Sequence, residues 1–253
     1  MIEKIKNITN RKMFHLAMVI VIIAVILFLS GIIILRYNVE GETNMPFVLN
    51  KISVISQVDG EEKEVTDANN HFAFNVFENN DIYVYIEKNE NYDKEELIKS
   101  VVINNISLET SPQMGITKFY HPEVEEVDMM FKNSAENETN SIEYIGDIKS
   151  DLKNMKISNQ GGIVAFRYGI QDITTYETNE NEIQHNQLLS KAQINVDSIK
   201  SRLKFDLNIL LDSGKMFQTT ISLDLPIDDV VSSGVTSKEF TDMDNYIFKR
   251  VQN

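Results

Sequence analysis

Residues Leu203–Leu225 read LKFDLNILLDSGKMFQTTISLDL, and this stretch decides the fold class. Leu203, Phe205, Leu207, Ile209 and Leu211 alternate with the polar Lys204, Asp206 and Asn208. Asp212-Ser213-Gly214-Lys215 then supplies turn chemistry. Phe217, Thr219, Ile221, Leu223 and Leu225 resume the alternation against Gln218, Thr220 and Ser222. A period of two with one apolar and one wet face is the signature of an antiparallel hairpin. Pro226 ends it, because proline cannot donate to a ladder.

The same period runs through much of the chain. Phe72, Phe74 and Val76 precede Asn79-Asn80, and Ile82, Val84 and Ile86 follow. Asparagine tolerates positive φ, so a second hairpin with a tight turn is expected there. Met155 and Ile157, then Asn159-Gln160-Gly161-Gly162, then Val164, Phe166 and Tyr168 suggest a third. Further strands are expected at 47–57, 101–109, 128–132 and 141–146, with a terminal strand at 246–251. Short helices fit Lys94–Lys99, with Asp93 as cap and Glu96 three residues on, and Glu182–Lys191. The polar run NSAENETN at 133–140 is expected to be disordered. Many short strands separated by turns predict a mainly all-β, two-sheet sandwich or jelly-roll-like unit over residues 47–253. No Pro/Gly/Ser-rich linker divides that span.

Met13–Leu35 is an uncharged, dominantly apolar run of 23 residues. As a helix it would reach about 34 Å, against a hydrocarbon core of about 30 Å. Lys4, Lys6, Arg11 and Lys12 precede it with only Glu3 as an acid, so the amino end is expected inside and the bulk of the chain outside. His15 falls near the inner interface, as a snorkelling side chain. A cleaved signal peptide has a shorter apolar core followed by a small-residue cleavage motif. Leu29-Ser30-Gly31 begins like a lipoprotein box, but Ile32 stands where cysteine is needed. The expected organisation is therefore a cytoplasmic tail (1–12), a signal-anchor helix (13–35), a juxtamembrane linker (36–46) and an extracytoplasmic β-rich domain. The nine residues Tyr37–Met45 span at most about 30–32 Å, which holds that domain close to the bilayer.

The chain carries 24 basic and 38 acidic residues, a net charge of −14. Setting aside Lys4, Lys6, Arg11, Lys12, Arg36 and Glu3 leaves residues 37–253 with 19 bases against 37 acids, or −18. So acidic a domain repels nucleic acid and anionic headgroups. Cysteine is absent, which removes disulfides, thiolate metal sites and cysteine nucleophiles. An anchored, cysteine-free, Asn-, Ile- and Lys-rich exported chain resembles the single-pass envelope proteins of low-GC Gram-positive bacteria. That resemblance implies a location at the cell membrane and no particular activity.

No catalytic set emerges. Ser150-Asp-Leu-Lys153 and Ser201-Arg-Leu-Lys204 match Ser-x-x-Lys, but no Lys-Thr-Gly accompanies them. In an alternating strand an offset of three also puts Ser201 and Lys204 on opposite faces. There is no Gly-x-Ser-x-Gly elbow and no Walker loop. His121, Glu123, Glu125, Glu126 and Asp128 form the densest group of candidate metal ligands. Either a structural divalent cation sits there on carboxylate oxygens or the group is a solvated acidic loop. His71 and His185 are remote in sequence, and Asp242-Met243-Asp244-Asn245 is only a fragment of a calcium loop. No other cofactor is indicated. Tyr83 and Tyr85 share one strand face and are candidate stacking residues for a sugar, although tryptophan is absent. Arg167 alternates outward, either as a surface charge or as the partner of a nearby acid. The leading expectation is a non-enzymatic scaffold that binds another envelope or membrane protein. A polysaccharide-binding module and a carboxylate-dependent enzyme are the alternatives.

Overall fold

The structure is a computed structural model, and it describes residues 15, 17–33, 45–63, 71–122, 131, 140–180 and 182–251. Among the described residues eleven strands make two sheets. In the first, β1 (Phe47–Lys63), β2 (Phe72–Lys88), β4 (Ile116–Tyr120), β7 (Gly162–Thr178) and β10 (Val235–Phe240) lie in the order β10-β1-β2-β7-β4, antiparallel throughout. The second contains β3 (Ile98–Thr110), β5 (Ile142–Asp147), β6 (Lys156–Ser158), β8 (Ser201–Leu211), β9 (Met216–Leu225) and β11 (Lys249–Val251). Its order is β11-β9-β8-β3-β5-β6, and only β5 and β6 run parallel. Two-sheet, mainly β architecture is as the alternation predicts.

Alternation places the core. In β1, Ile52, Val54 and Val58 are buried while their neighbours are half-buried. An irregularity at Asn50 shifts the phase, so that Phe47 and Leu49 also point inward. From the second sheet come Val101, Ile103, Leu203, Phe205, Leu207 and Ile221, all fully buried. Phe166 of β7 meets Phe205 of β8 edge-on at 5.1 Å between centroids, which ties the two inner faces together. β8 and β9 form the expected hairpin, and Phe205 lies opposite Ile221.

Five sequence expectations are corrected. There is no turn at Asn79-Asn80, because β2 runs unbroken through both residues. The chain does turn at 159–161, yet no hairpin results: β6 joins β5 in the second sheet, and β7 crosses to pair with β2 in the first. Lys94–Lys99 is not helical, and β3 begins at Ile98, where Asp212 N–H is held by the Leu97 carbonyl. The helix expected at 182–191 is reduced to a 3₁₀ turn at His185–Gln187 and one turn of α-helix, α2 (Leu188–Lys191), whose Leu188 and Leu189 are buried. The terminal strand shrinks to β11. Of 128–132 only Phe131 is described, outside any strand, and nearly all of 133–140 lies outside the described residues. A last short helix, α3 (Val230–Ser233), is capped by the Asp229 carboxylate on the Ser232 N–H.

Residues 17–33 are helical (α1), and apart from half-buried Gly31 their side chains are exposed, Leu27 at 67% and Phe28 at 69%. No helix among the described residues is long and apolar enough to cross a membrane. Residues 13, 14, 16, 34 and 35 of the apolar run, the 1–12 tail and most of the 36–46 linker lie outside the described residues.

Candidate functional site

The most unusual chemistry lies in the middle of β2. Glu78, Asn79, Asn80 and Asp81 are consecutive, and all four are buried. Strand geometry sends alternate members to opposite faces. Glu78 and Asn80 turn into the sandwich, in phase with Ile82, Val84 and Ile86. Asn79 and Asp81 turn to the outer face of the first sheet, in phase with Tyr83 and Tyr85.

On the inner side, Asn80 Nδ2 donates to Glu78 Oε2 at 2.7 Å, and Ser56 Oγ of β1 donates to Asn80 Oδ1 at 2.5 Å. Ser56 Oγ in turn accepts the Ile227 backbone N–H at 2.9 Å, linking the β9–α3 loop to β1. Glu78 Oε1 has no hydrogen-bond partner among the described residues. Burial therefore pushes the Glu78 carboxyl well above its ordinary range; the Asn80 hydrogen bond opposes this, the Asp81 charge adds to it, and Arg167 opposes it. The Tyr168 hydroxyl faces Ser201 without a well-formed hydrogen bond, and its pKa is also raised by burial. Among the described residues the hydrogen-bond partners of Ser56 Oγ are Asn80 Oδ1 and the Ile227 N–H.

On the outer side, Arg167 of β7 stands opposite Asp81 in the ladder. Its Nε donates to Asp81 Oδ1 at 2.6 Å and its Nη2 to Oδ2 at 3.0 Å. The Phe131 ring covers the guanidinium at 5.1 Å and is itself 3% exposed. Tyr83 meets the edge of Phe131 at 6.3 Å, and its hydroxyl is pushed to about 12, chiefly by burial. Tyr85 lies under the Lys51 ammonium at 4.6 Å, and Lys51 also bonds Glu239 of β10 at 2.6 Å. The two tyrosines named from the sequence thus share a face, each against a neighbouring side chain.

The candidate ligands are not brought together by anything described. His121 Nδ1 lies 2.9 Å from the Pro122 carbonyl, and Glu123, Glu125, Glu126 and Asp128 lie outside the described residues. His71 pairs with Asn179 and Glu177, and His185 with Asp59. Among the described residues no group of three His, Asp or Glu is placed to hold a metal. Ser201 is buried and Lys204 faces the other way, as the alternation requires. Sequence reasoning missed Glu78, Asn80 and Ser56 as a group, having taken Asn79-Asn80 for a turn.

Comparison of the chain with protein-family models, with curated proteins and with solved structures finds no match.

Proposed function

We propose that this chain is a non-enzymatic scaffold of the cell envelope, tethered by an amino-terminal membrane helix, with the sandwich outside and bound to another envelope or membrane protein. The observation that carries the reading is α1: bulky apolar side chains are exposed around its whole circumference, from Met18 to Ile33. A helix that is apolar all round is at rest in lipid, not in water. The polar cluster of β2 supports the non-enzymatic part, since Glu78, Asn80 and Ser56 are buried and hydrogen-bonded in a chain.

The test is crosslinking in intact cells followed by mass spectrometry of the captured products. The expected result is a discrete heteromeric product with a membrane or envelope protein. Recovery of the uncrosslinked monomer alone counts against the scaffold, and recovery of the chain from the medium with a new amino terminus counts against the tether.

A further inference from the structure

β9 pairs with β8 along its whole length, but on its other side only Met216, Phe217 and Gln218 are covered, by β11. The chain ahead of β11 does not continue the ladder. It turns at Met243–Tyr246, where the Tyr246 N–H reaches the Met243 carbonyl at 3.0 Å. Residues 219–225 are therefore an open strand edge among the described residues. The Ser222 carbonyl points to the open side, since the Tyr246 hydroxyl donates to it at 3.3 Å. In an antiparallel ladder the N–H and C=O of one residue face the same way, and the direction alternates along the strand. Thr220, Ser222 and Asp224 thus present their backbone donors and acceptors outward together.

Edge strands are normally blunted by lysine, proline or short length. β10 carries Lys238, β4 carries Lys118, and β6 and β11 are three residues each. Residues 219–225 read TTISLDL, rich in strand formers, with no basic residue and no proline before Pro226. Beside this edge a cleft of about 240 Å³ opens between β9 and β10. Ile227, Phe240 and Tyr246 line it, together with the charged Asp224, Asp228 and Lys238. It is smaller than the usual small-molecule pocket of about 300–1,000 Å³ and suits single side chains.

We propose that the 219–225 edge of β9 is the docking edge for an extended segment of a partner protein, which joins the second sheet as a further strand, sends alternate apolar side chains into the β9–β10 cleft and carries basic residues between them. This rests on the scaffold reading above and names where that partner binds. A row of outward backbone donors and acceptors selects a strand, because a helix has already spent its own on itself. The charge of −18 on residues 37–253, with two acids against one base at the cleft, selects a basic strand.

The probes are two capped octapeptides of equal charge, one alternating lysine with valine and the other lysine with proline, which cannot complete a ladder. Each is added at millimolar concentration to the full chain in detergent micelles, and hydrogen–deuterium exchange is read by mass spectrometry. The lysine–valine peptide is expected to slow exchange at 219–225 by about twofold or more, to leave 203–211 unchanged, and to have no counterpart with the lysine–proline peptide. Ser222→Pro deletes the middle outward N–H without touching a β8–β9 bond, so it should abolish the protection, and Ser222→Ala should keep it. Thr220→Pro removes the neighbouring outward donor and takes its place if Ser222→Pro loses the far-UV circular dichroism of the parent. Absence of protection in the parent chain, or equal protection in the folded proline variant, overturns the docking edge. Crosslinking in intact cells separates the two readings. A heteromeric product that forms with the parent and persists with the proline variant overturns the edge and leaves the scaffold standing, whereas its loss in that variant supports both. No heteromeric product with the parent overturns the scaffold and, with it, the edge as the partner's place.

Discussion

Arg167 and Asp81 face each other across β7 and β2 in a two-point grip, Nε to Oδ1 at 2.6 Å and Nη2 to Oδ2 at 3.0 Å, beneath the ring of Phe131. The side chains are 9% and 11% exposed, so neither charge is well hydrated. Arg167→Met should therefore cost on the order of 3–5 kcal/mol by leaving a buried carboxylate unpaired, whereas Arg167→Met with Asp81→Leu should recover most of the loss. Urea denaturation of the single and double variants measures both. Arg167→Lys should fail to restore full stability, because an ammonium lacks the planar fork.

Glu78 gives the domain a pH dependence of opposite sign to an ordinary carboxylate. Its pKa is raised on folding, so the folded chain holds a proton that the unfolded chain releases. Its contribution is intact below the ordinary carboxyl value of 4.5 and is lost as pH rises from there towards the folded-state pKa. Glu78→Gln, which imitates the neutral form, should flatten that slope. It should also raise stability near neutral pH, because the amide has no charge to desolvate and no proton to take up on folding. Thermal melts of both proteins between pH 4 and pH 8 check the sign.

Tyr144 of β5 reaches across the sandwich to β7 beyond the end of β4. Its hydroxyl donates to the Ala165 carbonyl at 2.7 Å and accepts the Ala165 N–H at 3.1 Å, occupying a stretch of edge that β4 leaves open. Tyr144→Phe keeps the ring and strands both backbone groups, so a loss of about 1–3 kcal/mol is expected. Hydrogen exchange at the Ala165 amide should accelerate by more than that at Phe205.

Gly146 lies where β5 runs against β3. A Cβ there would stand 2.0 Å from the Ile98 carbonyl oxygen, which is backbone and cannot rotate away. Gly146→Ala should destabilise by about 1–3 kcal/mol through forced strand separation. Loss of the chemical-shift signature of β6, which pairs only with β5 in the sheet order, would report where the strain goes.

Much of the sandwich is legible in the sequence, because burial on one face of a strand leaves an uninterrupted alternation. Leu203–Leu225 declares both strands and the turn between them. The middle of β2 was misread because Asn79-Asn80 imitates a turn. Parity contains the correction: Phe72, Phe74, Val76, Ile82, Val84 and Ile86 are all even-numbered. A two-residue turn at 79–80 would put Val76 opposite Tyr83 and leave Val84 and Ile86 facing away from the core, whereas one continuous strand keeps all six on one side. Asp81 and Arg167 are 86 residues apart, and no local pattern signals that they meet. The crossing of β7 to the other sheet is equally silent, since Gly161 and Gly162 read alike whether the chain turns back or crosses over.

Residues 241–248 carry the chain from β10 on the edge of one sheet to β11 on the edge of the other, and β10 places Phe240 beside Ile52 of β1. The earliest described strand of the domain thus acquires its outer neighbour only after nearly the whole sandwich has been synthesised. Until then its ladder is open to any passing strand, so a product truncated ahead of Val235 carries an unpaired edge prone to mispairing and aggregation.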